Sequence, residues 1–347
     1  MFNILFQMTP ALSRVLITSV VLGFLAGSFG VFIVLKKQAL VGDTIAHSAL
    51  PGVVLTFVIF SSKELEVLLI GAIITGFLSI LLFNFIKKYS KIKNDATLAI
   101  LLAGFFGLGR MLLSVVQRSN NAGTAGLESF IFGQAATILL KDMYLTIGVA
   151  VVVNLVIILL WKELKVQIFN SEYFDSLGFK SRILDIIFSV LIVLVVVAGI
   201  QMVGVVLISA MLIAPAVAAR QWNHRLSINY IIAGLIGAIS GFIGVIIADQ
   251  LNLPPGPMII VVLTSITLLS LLFSKNGVVV KTIKQIRYQY YLKKYAELVR
   301  FYHDEELSND ELKELVDKEY LHLVNDKYEI SQLGIKKVNL IIGDQDD

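Results

Sequence analysis

Nine mostly apolar stretches follow one another along this chain, at roughly 12–35, 39–60, 66–86, 95–116, 141–161, 183–201, 203–219, 227–248 and 257–274. A helix needs about 20 such residues to cross the ~30 Å hydrocarbon layer of a bilayer. Within that layer every backbone N–H and C=O must be paired internally, which admits only helices or a closed barrel. Barrel strands show alternation over about 10 residues, not continuous apolar runs. The sequence therefore predicts an all-α polytopic membrane protein with eight or nine transmembrane helices. The count turns on 183–219, which holds two spans if Gln201–Gly204 forms a tight outer turn. Composition agrees, with 57% hydrophobic and 16% charged residues, against roughly 25% charged in an average soluble domain. An ordinary soluble enzyme is excluded. The first run lacks a basic leading segment and is too long for the core of a cleavable signal peptide.

Lysine and arginine recur in alternate loops: Lys36 and Lys37; Lys87, Lys88, Lys91 and Lys93; Lys162, Lys165, Lys180 and Arg182; Arg220 and Arg225; then Lys281 through Arg300. The intervening loops hold Lys63 and Arg118. Positive loops stay on the cytoplasmic side, so nine spans would place the C-terminus inside and the N-terminus outside.

Beyond the last run the chain changes character. A transmembrane domain over 1–275 gives way to a basic juxtamembrane helix over 276–300. Its Lys284, Arg287, Tyr288, Tyr290, Tyr291, Lys293 and Lys294 suit an anionic lipid surface. Residues 301–347 carry 13 acidic and 5 basic side chains, a net of −8. Ser308 followed by Glu311 is a capping box, and 319–334 reads as strand, Asn325-Asp326 turn, strand and helix start. That order is similar to the wing region of winged-helix domains, so a small α+β cytoplasmic module is expected. Its negative charge argues against nucleic acid as a partner, because phosphate binding needs a positive footprint. A regulatory or protein-binding role fits better.

The chain has no cysteine, which removes disulfides, thiolate metal sites and cysteine nucleophiles. It has no Gly-x-x-x-x-Gly-Lys-Ser/Thr to cradle ATP phosphates. Gly-x-Ser-x-Gly and His-Glu-x-x-His are also missing, which disfavours an intramembrane hydrolase. The sharpest polar feature lies in Val41-Gly-Asp-Thr-Ile-Ala-His-Ser-Ala-Leu-Pro-Gly52. Asp43 and His47 are four residues apart, hence on one helix face. A helix starting near Gln38 would carry His47 about 13 Å along its axis. Ionisable residues inside spans are costly and mark candidate sites. A carboxylate and an imidazole one turn apart suit Mn(II), Fe(II) or Zn(II); a hydrogen bond between the two side chains is the plainer alternative. Two ligands suit a transit site better than a tight structural one, with water or other groups completing the shell.

Pro51, Gly52 and Pro215 are helix-breaking positions about which spans could flex. Arg110 lies within a span and needs a partner, for which Glu128 is one candidate. Glycines at packing intervals (Gly23 and Gly27; Gly104 and Gly107; Gly237, Gly241 and Gly244) predict close helix contacts. Residues 168–182 form an amphipathic segment between spans. Ser171 would cap a short helix with Tyr173, Phe174 and Leu177 on one face and Gly178 as its stop, either lying on the membrane surface or serving as a docking knob.

The Gly42–Gly52 run resembles the hallmark of the membrane permeases of the manganese/zinc/iron ABC importer family. Glu128-Ser-Phe-Ile-Phe-Gly133 and Leu207–Arg220 look like two further blocks of that family, so the likeness spans about 8–275. The resemblance implies a permease of a bacterial cytoplasmic membrane that carries manganese, zinc or iron as cargo, with manganese favoured and no permanently bound cofactor. It implies two permease copies around the pore, an extracytoplasmic metal-binding protein that delivers the ion, and a separate cytoplasmic ATPase docked on 168–182. Asp43 and His47 match the family's metal positions. The tail at 276–347 departs from the family, whose members end soon after the last span. A stand-alone carrier driven by an ion gradient is the runner-up.

Overall fold

The computed structural model describes residues 9–61, 64–118, 133, 138–205, 207–274, 277–302, 307–324 and 327–342. Glu128, Lys63 and the Asn325-Asp326 turn lie outside them. The chain separates into two compact units, Met1–Ser270 and Leu271–Asp347.

In chain order the helices of the first unit begin with α1 (Pro10–Leu35), α2 (Val41–Phe60), α3 (Leu65–Tyr89), α4 (Asn94–Arg118) and α5 (Leu140–Leu159). The short α6 (Trp161–Phe169) and α7 (Ser171–Ser176) follow, then α8 (Ser181–Val203), α9 (Ile208–Arg220), α10 (Leu226–Leu251) and α11 (Pro255–Phe273). Among the described residues, eight helices are long and apolar enough to cross a membrane. The run at 203–219 is not one of them. α8 continues through Gln201 to Val203, and the chain breaks at Gly204, whose φ of +89° favours glycine. The following helix, α9, has 13 residues, about 20 Å of rise, too little for the ~30 Å apolar layer. Hydropathy merges both into one apolar run because the break falls among valines.

Local chemistry sets the ends. Thr9 caps α1, accepting from Leu12 N–H at 3.3 Å, and Pro10 occupies the first turn, where its missing N–H costs nothing. Lys37 turns left-handed at φ 55°, and Gln38 N–H donates back to Ile33 O at 3.2 Å. This closing turn delays α2 until Val41.

Small residues hold α1 against α10. Gly23 meets Gly237, Gly27 meets the Ala233 carbonyl, and Gly241 meets Ser19. The register descends on one helix as it rises on the other, so the two are antiparallel. Ser19 Oγ also donates to Gly241 O at 3.3 Å. Lipid offers no hydrophobic drive between helices, so close backbone approach carries the packing. A methyl on Gly23 or Gly237 would overlap the other's carbonyl. We expect Gly237→Val to lower the unfolding temperature in detergent, at a cost of about 1–3 kcal/mol or more. Gly104→Ala should leave it unchanged. Equal melting curves for Gly237→Val and the native chain would contradict this packing.

That control follows from a correction. Gly104 and Gly107 have the spacing of packing glycines, yet no heavy atom lies within 4 Å of where a Cβ would sit on either. Identical spacing here marks an open face of α4, because periodicity does not say which face is covered.

The second unit contains α12 (Val278–Lys294), α13 (Ala296–Tyr302), α14 (Asn309–Asp317), an antiparallel pair β1 (Leu321–Val324) and β2 (Lys327–Ile330), and α15 (Gln332–Ile342). The strands pair Leu321 with Ile330 and Leu323 with Tyr328. Tyr295, Leu298, Leu315, Leu321 and Val338 form its core. The capping box is realised: Ser308 Oγ accepts from Glu311 N–H at 3.3 Å, and Glu311 Oε2 accepts from Ser308 N–H at 2.7 Å.

Candidate functional site

Asp43 falls in the first turn of α2, where the positive end of the helix dipole favours a carboxylate. His47 follows one turn later. With α2 starting at Val41, His47 lies about 9 Å along the axis, shallower in its helix than a start at Gln38 implies. Both residues are half-buried. The helix beneath them is pinned by Thr44, whose Oγ1 donates to Leu98 O on α4 at 3.1 Å, and by Ser48, bonded to Thr44 O at 2.6 Å.

His47 Nδ1 is buried and has no hydrogen-bond partner. Buried polar atoms are normally satisfied, so an orphan calls for an explanation. No described hydrogen bond joins the ring to Asp43. The plainer alternative, a bonded Asp–His pair, is therefore not what the geometry contains. Phe106 of α4 stands edge-on to the imidazole, with centroids 4.9 Å apart and planes at 77°. Phe106 sits between Gly104 and Gly107, beside which space is open. Among the described residues no three His, Asp or Glu side chains gather into a metal cluster.

Pro51 and Pro215 sit inside α2 and α9, and both helices continue through them. Lacking an N–H, Pro51 cannot bond the carbonyl of the residue four before it, which is His47. Pro215 stands in the same relation to Met211. Gly52 makes a close contact with Gly71 that fixes α2 against α3. Arg110 has no ion pair among the described residues and is exposed on α4.

The amphipathic segment forms the predicted short helix with two corrections. Asn170, not Ser171, is its N-cap, accepting from Tyr173 N–H at 2.9 Å; Ser171 is the first helical residue. The apolar residues also do not share one exposed face. Phe174 is 2% exposed and stacks on Phe179 at 5.1 Å, whereas Tyr173 and Leu177 are 54% and 50% exposed. Burying Phe174 anchors the helix to its own chain and leaves the other two outward. Gly178, at φ +86°, ends the helix.

Sequence reasoning passes over one cluster. Lys36, read as a loop charge, is instead 11% exposed and ion-paired to Asp185 at 2.8 Å. Its ammonium also donates to Gln167 Oε1 at 3.2 Å. The available signal was Gln167, an uncharged polar residue between Val166 and Ile168.

A family model described as the ABC 3 transport family matches residues 8–274. The zinc transport system membrane protein TroC of Treponema pallidum is 41% identical over 262 residues, covering 75% of this chain and 88% of that one. The manganese transport system membrane protein MntC of Bacillus subtilis is 37% identical over 302 residues, covering 86% and 69%. Among solved structures, PsaBC from Streptococcus pneumoniae in complex with Fab superposes with a TM-score of 0.68 at 31% identity, covering 78% of this chain and 94% of that one.

Proposed function

The chain belongs to the ABC 3 transport family, and we propose that it is the membrane permease of a bacterial importer for a divalent transition metal, driven by ATP hydrolysed on a separate cytoplasmic subunit. The relatives named for zinc and manganese support that class of cargo, and iron fits the same donor set. The permease itself is not an enzyme. One observation carries the site assignment: the buried, unpartnered Nδ1 of His47 one turn from Asp43. An imidazole nitrogen and a carboxylate oxygen suit Mn(II), Fe(II) and Zn(II) alike. The His47 carbonyl, deprived of its helix donor by Pro51, adds an oxygen nearby, and water fills the remaining positions. So few protein ligands hold an ion weakly enough to release it.

Transport then requires alternate access to this site. Pro51, Gly52 and Pro215 are the points about which α2 and α9 flex. The ATPase seats on α7 through Tyr173 and Leu177, with Phe174 and Gly178 holding the helix in shape. A second permease copy covers the open face of α4. The exposed guanidinium of Arg110 on a membrane-length helix supports this, because a charge facing lipid is costly. An extracytoplasmic metal-binding protein delivers the ion. The lysine-rich loops and C-terminus face the cytoplasm together, which requires the short α9 and the break at Gly204 before it to carry the chain across as a ninth passage. The basic α12 lies at the lipid surface as a juxtamembrane segment, and 301–347 is a regulatory module.

Cellular manganese, zinc and iron, measured with and without the gene, test the reading. At least one should fall when the gene is removed, and unchanged content of all three would contradict import. Deleting 301–347 should leave membrane insertion and dimerisation intact while changing how uptake responds to metal supply. A truncated chain that no longer inserts or dimerises would make the tail structural.

A further inference from the structure

A continuous polar chain runs from α7 to the end of α1. Asp175, on α7, accepts from the Ser181 N–H and from Ser181 Oγ, both at 3.0 Å. These bonds hold its carboxyl below the usual aspartate range. The Ser181 carbonyl accepts from Gln167 Nε2 at 3.0 Å. The same amide nitrogen reaches Asp185 Oδ1 at 3.0 Å. Lys36 Nζ closes the set on Gln167 Oε1 and Asp185 Oδ1, and stands 4.4 Å from the centre of the Phe188 ring. Phe188 in turn stacks on Phe29 of α1 at 5.1 Å.

This arrangement is expensive if it serves stability alone. Burial pushes the Lys36 ammonium below its ordinary pKa, while Asp185 pulls it back up. Lys36 is 11% and Asp185 42% exposed, and a pair partly withdrawn from water often contributes less than a well-packed apolar group of the same volume. Its value lies in fixed geometry: the Gln167 amide nitrogen is held by the Ser181 carbonyl and Asp185, and the head of Lys36 by Gln167 and Asp185. A displacement of α7 must therefore move Ser181 and Gln167, and with them Lys36, or break bonds. Lys36 caps the end of α1, just before the closing turn at Lys37 that leads into the helix bearing Asp43 and His47.

We infer that Lys36, Gln167 and Asp185 are positioning residues that transmit movement of α7 to the junction of α1 and α2, coupling ATP hydrolysis to metal movement. This rests on the reading of α7 as the ATPase dock. Coupling between two sites is a free-energy difference with its own measurable ratio, separate from docking and from hydrolysis.

The test is metal moved per ATP hydrolysed, in proteoliposomes holding the permease and its ATPase. Lys36→Met keeps the aliphatic stem and removes the charge; Gln167→Leu keeps volume and removes the amide. Both should bind the ATPase and hydrolyse ATP at the native rate, while the ratio falls at least about fivefold. Lys36→Arg, which keeps a cation beside Asp185, should recover most of it. Native ratios in Lys36→Met and Gln167→Leu would overturn the inference. So would docking, hydrolysis and uptake falling in step, the signature of a merely structural cluster. The dock itself is tested independently by Leu177→Asp, whose undiminished co-purification with the ATPase would remove the reading of α7 whatever Lys36 does.

Discussion

Asp43→Asn is expected to abolish metal uptake although it changes one charge and almost no volume. Asparagine keeps the shape and an acceptor oxygen, but a neutral amide is a far poorer partner for a divalent cation than a carboxylate. His47→Ala removes the nitrogen ligand outright. Changes to groups that merely orient metal ligands cost about 10–100-fold in affinity or activity, so losing a ligand should cost at least that in uptake. Insertion into the membrane and co-purification of the ATPase should be unaffected, because neither residue is bonded into the helix contacts that build the fold. If Asp43 served only as a hydrogen-bond partner for His47, asparagine would serve nearly as well. Uptake by Asp43→Asn within about twofold of native would therefore remove the metal assignment.

The candidate pair Asp43 and His47 was legible in sequence because its cost is intrinsic: a carboxylate and an imidazole one turn apart in an apolar span stand out wherever the helix lies. Their surroundings were not. Nothing local in Phe106 says that it faces His47, and nothing in Gly104 and Gly107 says that they face outward while Gly23 and Gly237 face each other. Those facts depend on which helices become neighbours. The break at Gly204 was hidden for a different reason: hydropathy measures burial, and valines on both sides of a kink are as apolar as valines within a helix. Phe174 shows a third limit. Periodicity grouped it with Tyr173 and Leu177, but a six-residue helix has room for one face against its own chain. The wholly apolar ring, with Phe179 to stack on, took that place. Lys36 was read only as a loop charge because its partners Gln167 and Asp185 are distant in sequence.

That division of labour on α7 sets the second large effect. Tyr173→Asp and Leu177→Asp should each weaken ATPase docking, since burying a large apolar side chain contributes about 1.5–3 kcal/mol, or roughly 10–100-fold in affinity. The permease itself should remain folded and bind metal, because both side chains project away from their own chain. Phe174→Asp should behave differently. It places a charge where an aromatic ring is buried, so α7 should lose its structure and docking should fail together with a drop in thermal stability. Co-purification of the ATPase, followed alongside melting curves for the three variants, separates these effects. Full ATPase recovery with Tyr173→Asp and Leu177→Asp would place the dock elsewhere.

Metal should cross through this chain only when a partner subunit hydrolyses ATP. Uptake of radioactive manganese and zinc into proteoliposomes tests it directly, comparing the permease alone, the permease with its ATPase, and the pair with and without ATP inside the same lipid. With the metal-binding protein supplied on the opposite face throughout, uptake is predicted only where permease and ATPase are present together with ATP on the face where the ATPase binds. Uptake by the permease alone, driven by a proton or sodium gradient and indifferent to ATP, would contradict it and make the chain a stand-alone carrier.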